Sequence, residues 1–231
     1  INFIEKWIKN KISDVLKSLV DLKNIKENNT SIKALAFQLY ENNGVLKREQ
    51  VSEYLKNLDQ DERKVLRDLG VKFGRYHIFL YRLIKPEAVS LRTLLWKNYH
   101  QKYFNLKPPV FGLNFLTDEN NKNKNFMLLC GFEKFNNFFV RIDILERLFM
   151  KIINSSSDKI KEIKLIPEML NLLGCSKENF KKLIKVMNYK VTEKNNEVFF
   201  KYLPSKKIKK PINKKKSKEN PFGILKNLNL N

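Results

Sequence analysis

The chain has 231 residues, of which 46 are Lys or Arg and 24 are Asp or Glu, so its formal net charge is +22 at pH 7. Its hydrophobic fraction of 42% is large enough for a buried core in one or two domains. No apolar run approaches the ~20 residues that cross a bilayer, and no pattern of a secretory signal opens the given sequence, so we expect a soluble protein.

The excess of basic residues predicts a polyanionic partner, because Lys and Arg that neutralise phosphates gain affinity by releasing condensed counterions. Nucleic acid is the partner that we expect. An anionic membrane surface or an acidic protein would also suit the charge. A composition rich in Lys, Asn and Ile also raises the number of surface lysines without any function, so the sequence leaves these alternatives open.

The two cysteines, Cys130 and Cys175, lie in apolar stretches without Cys or His neighbours at metal-site spacing. This pattern favours buried thiols in a reducing cytoplasm over a disulfide or a zinc site. We therefore expect a cytoplasmic protein with no membrane partner. Because the chain begins with Ile1 and not with Met, we also expect it to be a piece of a longer protein.

Helical spacing of apolar residues dominates the first hundred positions. Residues 3–25 predict an amphipathic helix whose apolar face packs on the following helices rather than on a membrane. Thr30 or Ser31 is predicted to cap a second helix that stops near Gly44. A third helix is predicted at 47–58.

The next segment has clear helix boundaries. Asp59 and the acids after it mark a helix start, and Gly70 suits the residue that ends that helix. A short extended run follows at 76–80, and Pro86 opens a helix to about Tyr103. We expect that helix to bury five side chains, namely Val89, Leu91, Leu94, Leu95 and Trp96.

Arginine marks this part of the chain. The guanidinium is a flat, weakly hydrated fork suited to phosphate and carboxylate, so we expect arginine where a lysine would not serve. Six of the eight arginines fall between positions 48 and 92: Arg48, Arg63, Arg67, Arg75, Arg82 and Arg92.

Two of these arginines flank two flat rings. Arg75, Tyr76, His77 and Arg82 lie within eight residues, a mixture that can clamp a nucleic-acid backbone and stack on a base. The alternative is structural, with Arg75 and Arg82 pairing with acids such as Asp68 or Glu87 to hold the turn together. The sequence does not decide between the two.

From about residue 105 the pattern changes. Two prolines break the helix, and 118–125 predicts a mobile, Asn-rich loop. Residues 126–140 predict short strands around a tight turn at Asn136-Asn137, followed by a helix at 143–154. The phenylalanines of this stretch favour core packing over a base-stacking surface.

Residues 160–203 predict a small winged-helix-like unit. It has a helix that ends at Gly174, a second helix capped by Ser176, and a hairpin that turns at Asn195-Asn196. One face of the second helix carries four lysines, which either contact phosphates or form a solvated face: Lys177, Lys181, Lys182 and Lys185.

The last stretch is a basic tail with no acid before Glu219, and its composition predicts disorder. Apolar residues between Pro221 and Leu228 are typical of a docking peptide. The eight tail lysines expected to bind nucleic acid are Lys206, Lys207, Lys209, Lys210, Lys214, Lys215, Lys216 and Lys218.

Four ordered blocks of the chain resemble one protein family. They read LDQDERKVLRDLGVKFGRYHIFLYRLIKPEAVSLRTLLW (58–96), GFEKFNNFFVRIDILERLF (131–149), PEMLNLLGCSKENFKKLIKVMNYK (167–190) and NPFGILKNL (220–228). These blocks are similar to the region after the motor in bacterial superfamily II ATP-dependent helicases related to the mitochondrial degradosome RNA helicase. The resemblance covers about 30–231, and the chain differs at Tyr81, where the family pattern has a proline.

The resemblance implies an accessory region that holds or guides RNA, or less readily DNA, for helicase motor domains N-terminal to it. ATP and magnesium would belong to that motor. This chain has no GxxxxGK[ST] phosphate loop and no Asp-Glu-x-His or Asp-Glu-x-Asp box. We expect no catalytic residue, metal or cofactor in it. The alternative function is a protein-interaction or assembly module that docks on a ribosome, a nuclease or another acidic partner.

The predicted fold class is mainly α. A helical region at 1–105 is followed by a mixed α/β segment at 106–158, the winged-helix-like unit at 159–203 and the disordered basic tail at 204–231.

Four further residues are candidates for chemistry. His77 and His100 have no partner at ligand or triad spacing, which favours surface or structural roles. Asp143 and Glu146 predict ion pairs with neighbouring arginines rather than a metal site.

Overall fold

The computed structural model describes residues 2–26, 29–118, 122–155 and 162–203. The predicted tail at 204–231 and its eight lysines lie outside these residues, as does part of the predicted Asn-rich loop. The described chain is mainly helical with small antiparallel sheets, which confirms the mainly α class with small α/β parts. None of the described helices is both long enough and apolar enough to cross a membrane.

The helices and strands are numbered in chain order. The described residues form helices α1 Asn2–Val15, α2 Lys17–Lys23, α3 Thr30–Glu41, α4 Ser52–Lys56, α5 Gln60–Asp68, α6 Pro86–Tyr99, α7 Lys124–Leu129, α8 Ile142–Ser155, α9 Pro167–Leu173 and α10 Lys177–Val186. The strands are β1 Val45–Lys47, β2 Val71–Phe73, β3 His77–Leu80, β4 Phe115–Thr117, β5 Phe132–Phe135, β6 Phe138–Arg141, β7 Ile163–Lys164, β8 Tyr189–Lys194 and β9 Glu197–Tyr202. Turns of 3-10 helix occur at Arg48–Val51, Tyr81–Ile84 and Gln101–Tyr103.

The described strands form three separate sheets of three strands each. Their strand orders are β1-β3-β2, β4-β6-β5 and β7-β9-β8, and all pairs are antiparallel. In the first sheet Ile78 of the central strand lies opposite Leu46 and Phe73. Each sheet packs against nearby helices, because so few strands cannot bury a core alone.

Helix α8 connects the apolar clusters. A first cluster, from Leu16 to Ala88, lies among α1 to α6 and the first sheet. A second cluster joins α8 to α9, α10 and the third sheet, so it crosses the predicted boundary at 158/159. Ile142, the first residue of α8, also packs against Val45 and Phe79 of the first sheet. Helix α8 therefore contacts the sheets on both sides of it.

The local signals read from the sequence are confirmed at several boundaries. Asp59 accepts a hydrogen bond from the N–H of Glu62, and Glu62 accepts one from the N–H of Asp59. Ser176 caps α10 through the N–H of Asn179. Gly174 ends α9 in the left-handed conformation with φ +67°. Reciprocal caps and left-handed ends of this kind satisfy backbone groups that a helix leaves unpaired.

Two predictions for the first helices were wrong. The predicted helix at 3–25 is two helices that break at Leu16, and this break allows Leu16 and Leu22 to turn into the core. The cap of α3 is Asn29 and not Thr30 or Ser31, because the Asn29 side chain accepts hydrogen bonds from two N–H groups of the first turn.

Two further stretches differ from their predicted elements. The predicted helix at 47–58 begins instead with the end of β1 and a 3-10 turn, because Lys47 is paired with β3, and only 52–56 is α-helical. The stretch 126–129, predicted as strand, belongs to α7, which Asn123 caps through the N–H of Phe126. The predicted turn at Asn136-Asn137 does join β5 to β6.

The burial of α6 agrees with the prediction only in part, because Val89 is buried and Leu91 and Trp96 are partly buried, but Leu94 and Leu95 are exposed. The helix ends at Tyr99, and its buried residues are Ala88, Val89, Arg92 and Thr93. Leu94 and Leu95 are 50% and 38% exposed. Small side chains let this helix approach its neighbours closely, and the apolar positions alone did not reveal that Arg92 faces inward.

Candidate nucleic-acid interface

A buried carboxylate holds the turn between β2 and β3 against α8. Glu146 lies on the inward face of α8, and its carboxylate accepts hydrogen bonds from the N–H groups of Arg75, Tyr76 and His77 at 2.5, 2.9 and 2.8 Å. Without Glu146 these three donors would be left without a carboxylate acceptor in a part-buried place, which costs about 1 to 3 kcal/mol for each unpaired buried group.

The approach of Glu146 requires a glycine at position 74. A Cβ built on Gly74 would lie 2.4 Å from the carboxyl carbon of Glu146 and 2.5 Å from one of its oxygens. Such distances are too short for nonbonded atoms. The glycine is therefore needed for space beside Glu146.

His77 lies between two carboxylates that come from different parts of the chain. Its Nδ1 is 3.3 Å from Glu146, its Nε2 is 3.2 Å from Glu133 of β5, and the ring is only 3% exposed. Lys47 of β1 completes the group, because its Nζ is 2.7 Å from Glu133. We call these four residues, Lys47, His77, Glu133 and Glu146, the buried polar cluster.

Burial and hydrogen bonding oppose each other in the buried polar cluster. Burial lowers the pKa of His77, but hydrogen bonds to Glu133 and Glu146 outweigh it and raise the pKa above its usual value. Burial likewise favours a higher pKa for Glu133, but its hydrogen bonds to His77 and Lys47 hold that pKa below its usual value. A protonated imidazole beside an ionised Glu133 carboxylate is the arrangement that both shifts favour.

The buried polar cluster is suited to joining segments rather than to catalysis. Both ring nitrogens of His77 face carboxylates, so neither is free to take a proton from a substrate. Within the ranges that the structure describes, no group of three or more His, Cys, Asp or Glu side chains is arranged to hold a metal ion. Burial also raises the pKa of the Cys130 thiol to about 12, which makes it a poor nucleophile.

Sequence reasoning missed Glu133 and Glu146 as partners of His77. The interpretation of Asp143 as an ion-pair partner agrees with the structure, because its carboxylate is 2.7 Å from Arg141. The corresponding interpretation of Glu146 was wrong, since its carboxylate points to backbone N–H groups instead. One signal was present in the sequence: Glu146 is spaced four residues from the apolar Ile142 and three from Phe149, on the inward face of the helix.

Most arginines of the 48–92 stretch bind backbone carbonyls and not phosphate or carboxylate. Arg48 donates to the carbonyl of Gly74 at 2.8 Å, and Arg63 donates to that of Leu55 at 2.8 Å. Arg67 likewise donates to the Arg63 carbonyl. The flat fork of these arginines serves here to satisfy carbonyls at helix ends and turns rather than to pair with acids.

Arg92 is the most buried of these arginines. It is 3% exposed and donates to the carbonyls of Asn43, Leu83 and Leu129 at 2.6, 2.5 and 2.9 Å. Burial lowers its pKa to about 10. Arg92 therefore connects α6 to three separate turns.

Arg75 and Arg82 are the two arginines of the stretch with exposed side chains that lack such carbonyl bonds. No ion pair joins either of them to an Asp or Glu among the described residues, so the pairing with acids such as Asp68 is absent there. The Arg75 guanidinium lies 5.7 Å from the ring centroid of Phe149. Arg82 lies on the 3-10 turn after β3.

The two rings between these arginines are not free for stacking. His77 is enclosed in the buried polar cluster, and the Tyr76 ring packs edge-on against Phe149 at 5.0 Å. Burial raises the pKa of Tyr76 above its usual range. Arg75, Tyr76 and His77 do line one cleft of about 430 Å³ together with Lys47 and Glu133, but neither of the two rings is free there for stacking.

The four predicted lysines of α10 fall into two pairs. Lys177 donates to the Asn196 carbonyl at 3.0 Å, and Lys181 is 2.6 Å from the carboxylates of both Glu178 and Glu193. Lys181 donates hydrogen bonds to both carboxylates, and these bonds raise the pKa of Lys181 above its usual value. These two lysines hold α10 to the β8-β9 hairpin.

Lys182 and Lys185 form the second pair. Both are exposed, and neither has an ion pair in the described part of the chain. Lys182 lines an open cleft of about 470 Å³ between α10 and the Asn136-Asn137 turn, which we call the helix cleft; Asn179 also lines it. Asp118, at the edge of this cleft, is 2.7 Å from Lys134.

No protein-family model, curated protein or solved structure matches this chain. The geometry and charge described above therefore carry the functional argument.

Proposed function

We propose that this chain is a nucleic-acid-binding accessory region of a superfamily II helicase, which holds or guides an RNA or DNA strand for motor domains outside the chain. The observation that carries this proposal is the pair Lys182 and Lys185 on the outer face of α10, exposed and without an ion pair to any described acid, although Glu193 lies within electrostatic range of Lys185. The resemblance of the ordered sequence blocks to the post-motor region of such helicases supplies the helicase part of the proposal.

The order of elements from α8 onward supports a winged-helix interpretation. Helix α8, strand β7, helices α9 and α10 and the β8-β9 hairpin follow one another, and the three strands form one sheet in the order β7-β9-β8. In helix-turn-helix proteins the second helix of the pair enters a groove of the nucleic acid. Here that helix is α10, and its inward face is filled by Phe180, Leu183 and Ile184.

The distribution of charge on α10 supports phosphate contact. Its acid, Glu178, is already bonded to Lys181, so the exposed pair of lysines is not neutralised by the same helix. Asn179 in the helix cleft offers a side-chain amide near Lys182. Lysines that neutralise phosphates and amides that bond to phosphate or base edges are the usual parts of such an interface.

The proposal is tested by Lys182→Gln with Lys185→Gln in the full chain. Fluorescence anisotropy of labelled single-stranded and duplex RNA of twelve nucleotides should show about fivefold to tenfold weaker binding. The slope of the logarithm of the binding constant against the logarithm of the salt concentration should become shallower by roughly 1.5. The matched control is Lys6→Gln with Lys9→Gln, two exposed lysines of α1 with the same three-residue spacing. The control should change affinity less than about twofold.

Equal affinities of the α10 variant and the α1 control would contradict the proposal for α10. Absence of binding by the unmodified chain to any RNA or DNA probe would reject the nucleic-acid function as a whole.

A protein-interaction module is the second candidate, and one observation favours it. Helix α1 exposes four large apolar side chains at helical spacing, Phe3, Ile4, Trp7 and Ile8, which are 81%, 61%, 60% and 44% exposed. An apolar stripe of this size on a surface is typical of a contact with another protein. Failure of the unmodified chain to bind any nucleic-acid probe would favour this candidate.

A further inference from the structure

Another cleft lies beside the β2-β3 turn, and we call it the outer cleft. It has a volume of about 430 Å³ and opens between the first sheet and the exposed face of α8. Phe73 and Phe79 come from the sheet, Tyr81 follows β3, and Met150 belongs to α8. Clefts of this size fall in the range that holds small ligands or single units of a polymer.

The outer cleft has an apolar floor that remains open to solvent. Met150 is 55% exposed and Tyr81 is 39% exposed, although both are large and could have been buried. The ammonium group of Lys85 lies 4.6 Å from the centroid of the Tyr81 ring and donates to its hydroxyl at 3.1 Å, so the ring has a cation beside it. An aromatic ring beside an apolar side chain is a surface on which a planar group can stack.

Four basic side chains surround this floor. They are Lys72 and Arg75 from the first sheet and its turn, and Arg147 and Lys151 from α8. All four are exposed, and none of them has an ion pair in the described part of the chain. The spacing of Arg147 and Lys151, one helical turn apart, directs both to the same side of α8.

The two acids that line the outer cleft are occupied elsewhere. Asp143 forms two hydrogen bonds with Arg141 at 2.7 and 3.1 Å and caps the N–H of Ile144. Glu146 is held by the N–H groups of the β2-β3 turn. The basic rim is therefore not neutralised by the acids nearest to it, and the cleft presents positive charge around an apolar floor.

We propose that the outer cleft binds one or two unstacked nucleotides of a single strand, with phosphates on the basic rim and a base on the floor beside Tyr81 and Met150. This inference rests on the nucleic-acid function proposed above and adds a contact for single strands on a surface other than α10. A duplex keeps its bases stacked inside, so it cannot place a base on the floor and is not held at the rim beside it.

The test compares two double variants of the full chain. The cleft variant combines Arg147→Gln and Lys151→Gln, and the control combines Lys6→Gln and Lys9→Gln. Binding to labelled U12, dT12 and a 12-base-pair RNA duplex is measured by anisotropy at several salt concentrations. The cleft variant should bind U12 or dT12 about fivefold to tenfold more weakly, with a salt slope lower by roughly 1.4, and should bind the duplex within about twofold of the unmodified chain. Tyr81→Ala should weaken single-strand binding at least about fivefold without changing the salt slope.

Three results would overturn this inference while leaving the proposed function in place. The first is an equal effect of the cleft variant and the α1 control on single strands. The second is equally weakened binding of U12 and of the duplex. The third is an unchanged affinity of Tyr81→Ala for U12 and dT12. A chain that binds none of the three nucleic-acid probes would instead reject the proposed function itself. The thermal unfolding midpoint of each variant serves as a control. An unchanged midpoint shows that altered binding does not come from unfolding.

Discussion

A β-carbon at Gly74 would lie 2.4 Å from the carboxyl carbon of Glu146. The two residues belong to a turn of the first sheet and to α8, and their close approach lets one buried carboxylate bind three consecutive N–H groups. The contact is therefore a point at which a helix and a distant sheet depend on each other.

The first prediction concerns Gly74→Ala. The new methyl group should displace Glu146 from its N–H donors, so the free energy of unfolding should fall by about 2 to 4 kcal/mol. Urea unfolding followed by circular dichroism measures this change. In a Glu146→Ala background the same substitution should cost less than about 1 kcal/mol, because the group it displaces is absent. Equal costs in both backgrounds would contradict the steric explanation.

The second prediction concerns pH. The pKa of His77 in the folded chain is raised above its usual value of 6.5. Its protonated ring therefore stabilises the fold fully below pH 6.5, and this stabilisation is lost as the pH rises through the folded-state pKa. The free energy of unfolding should fall from pH 6.5 upward, by about 1.4 kcal/mol for each pH unit up to that pKa. Urea unfolding at constant ionic strength measures the slope.

The two histidines of the chain provide the control for this pH effect. His77→Gln should remove the slope above pH 6.5, while His100→Gln should retain it. At the acidic end, the depressed pKa of Glu133 means that its stabilisation is present above about pH 4.5 and is lost as the pH falls through the folded pKa. A slope above pH 6.5 that survives His77→Gln would assign it to another group.

The third prediction concerns Arg92→Met. The substitution keeps a long apolar side chain but leaves three carbonyls without their donors, so the free energy of unfolding should fall by about 2 to 5 kcal/mol. Arg82→Met is the matched control, because Arg82 is exposed on the neighbouring turn, and it should change stability by less than about 0.5 kcal/mol. The urea midpoints give both changes in stability, provided that the dependence of the unfolding free energy on urea concentration is the same for all variants. Equal effects of the two substitutions would show that Arg92 does not hold the three turns together.

The fourth prediction concerns the lysine-rich segment at 204–218. Its deletion should weaken binding to single-stranded and duplex nucleic acid to a similar extent, because a run of lysines contacts phosphates without reading sequence or strandedness. For each phosphate that the shortened chain no longer neutralises, the log-log salt slope should fall by about 0.7 to 0.9. Anisotropy titrations over a range of salt concentrations measure both quantities. An unchanged slope would assign the electrostatic contribution to the folded residues.

The sequence by itself determined those features that depend on bonds between near neighbours. The capping box at Asp59 and Glu62, the left-handed end of α9 at Gly174 and the hairpin turn at Asn195-Asn196 were each predicted at the right place. Their hydrogen bonds close within a few residues, so the order of side chains along the chain is enough to specify them.

The tertiary structure decided which polar groups are buried together. His77 meets Glu146 and Glu133 across 69 and 56 positions of sequence, and Arg92 reaches Leu129 across 37. It also decided that Leu94 of α6 is exposed while Arg92 of the same helix is buried. A buried charge must find its partners among whatever elements pack against it, and that packing depends on the whole fold rather than on local spacing.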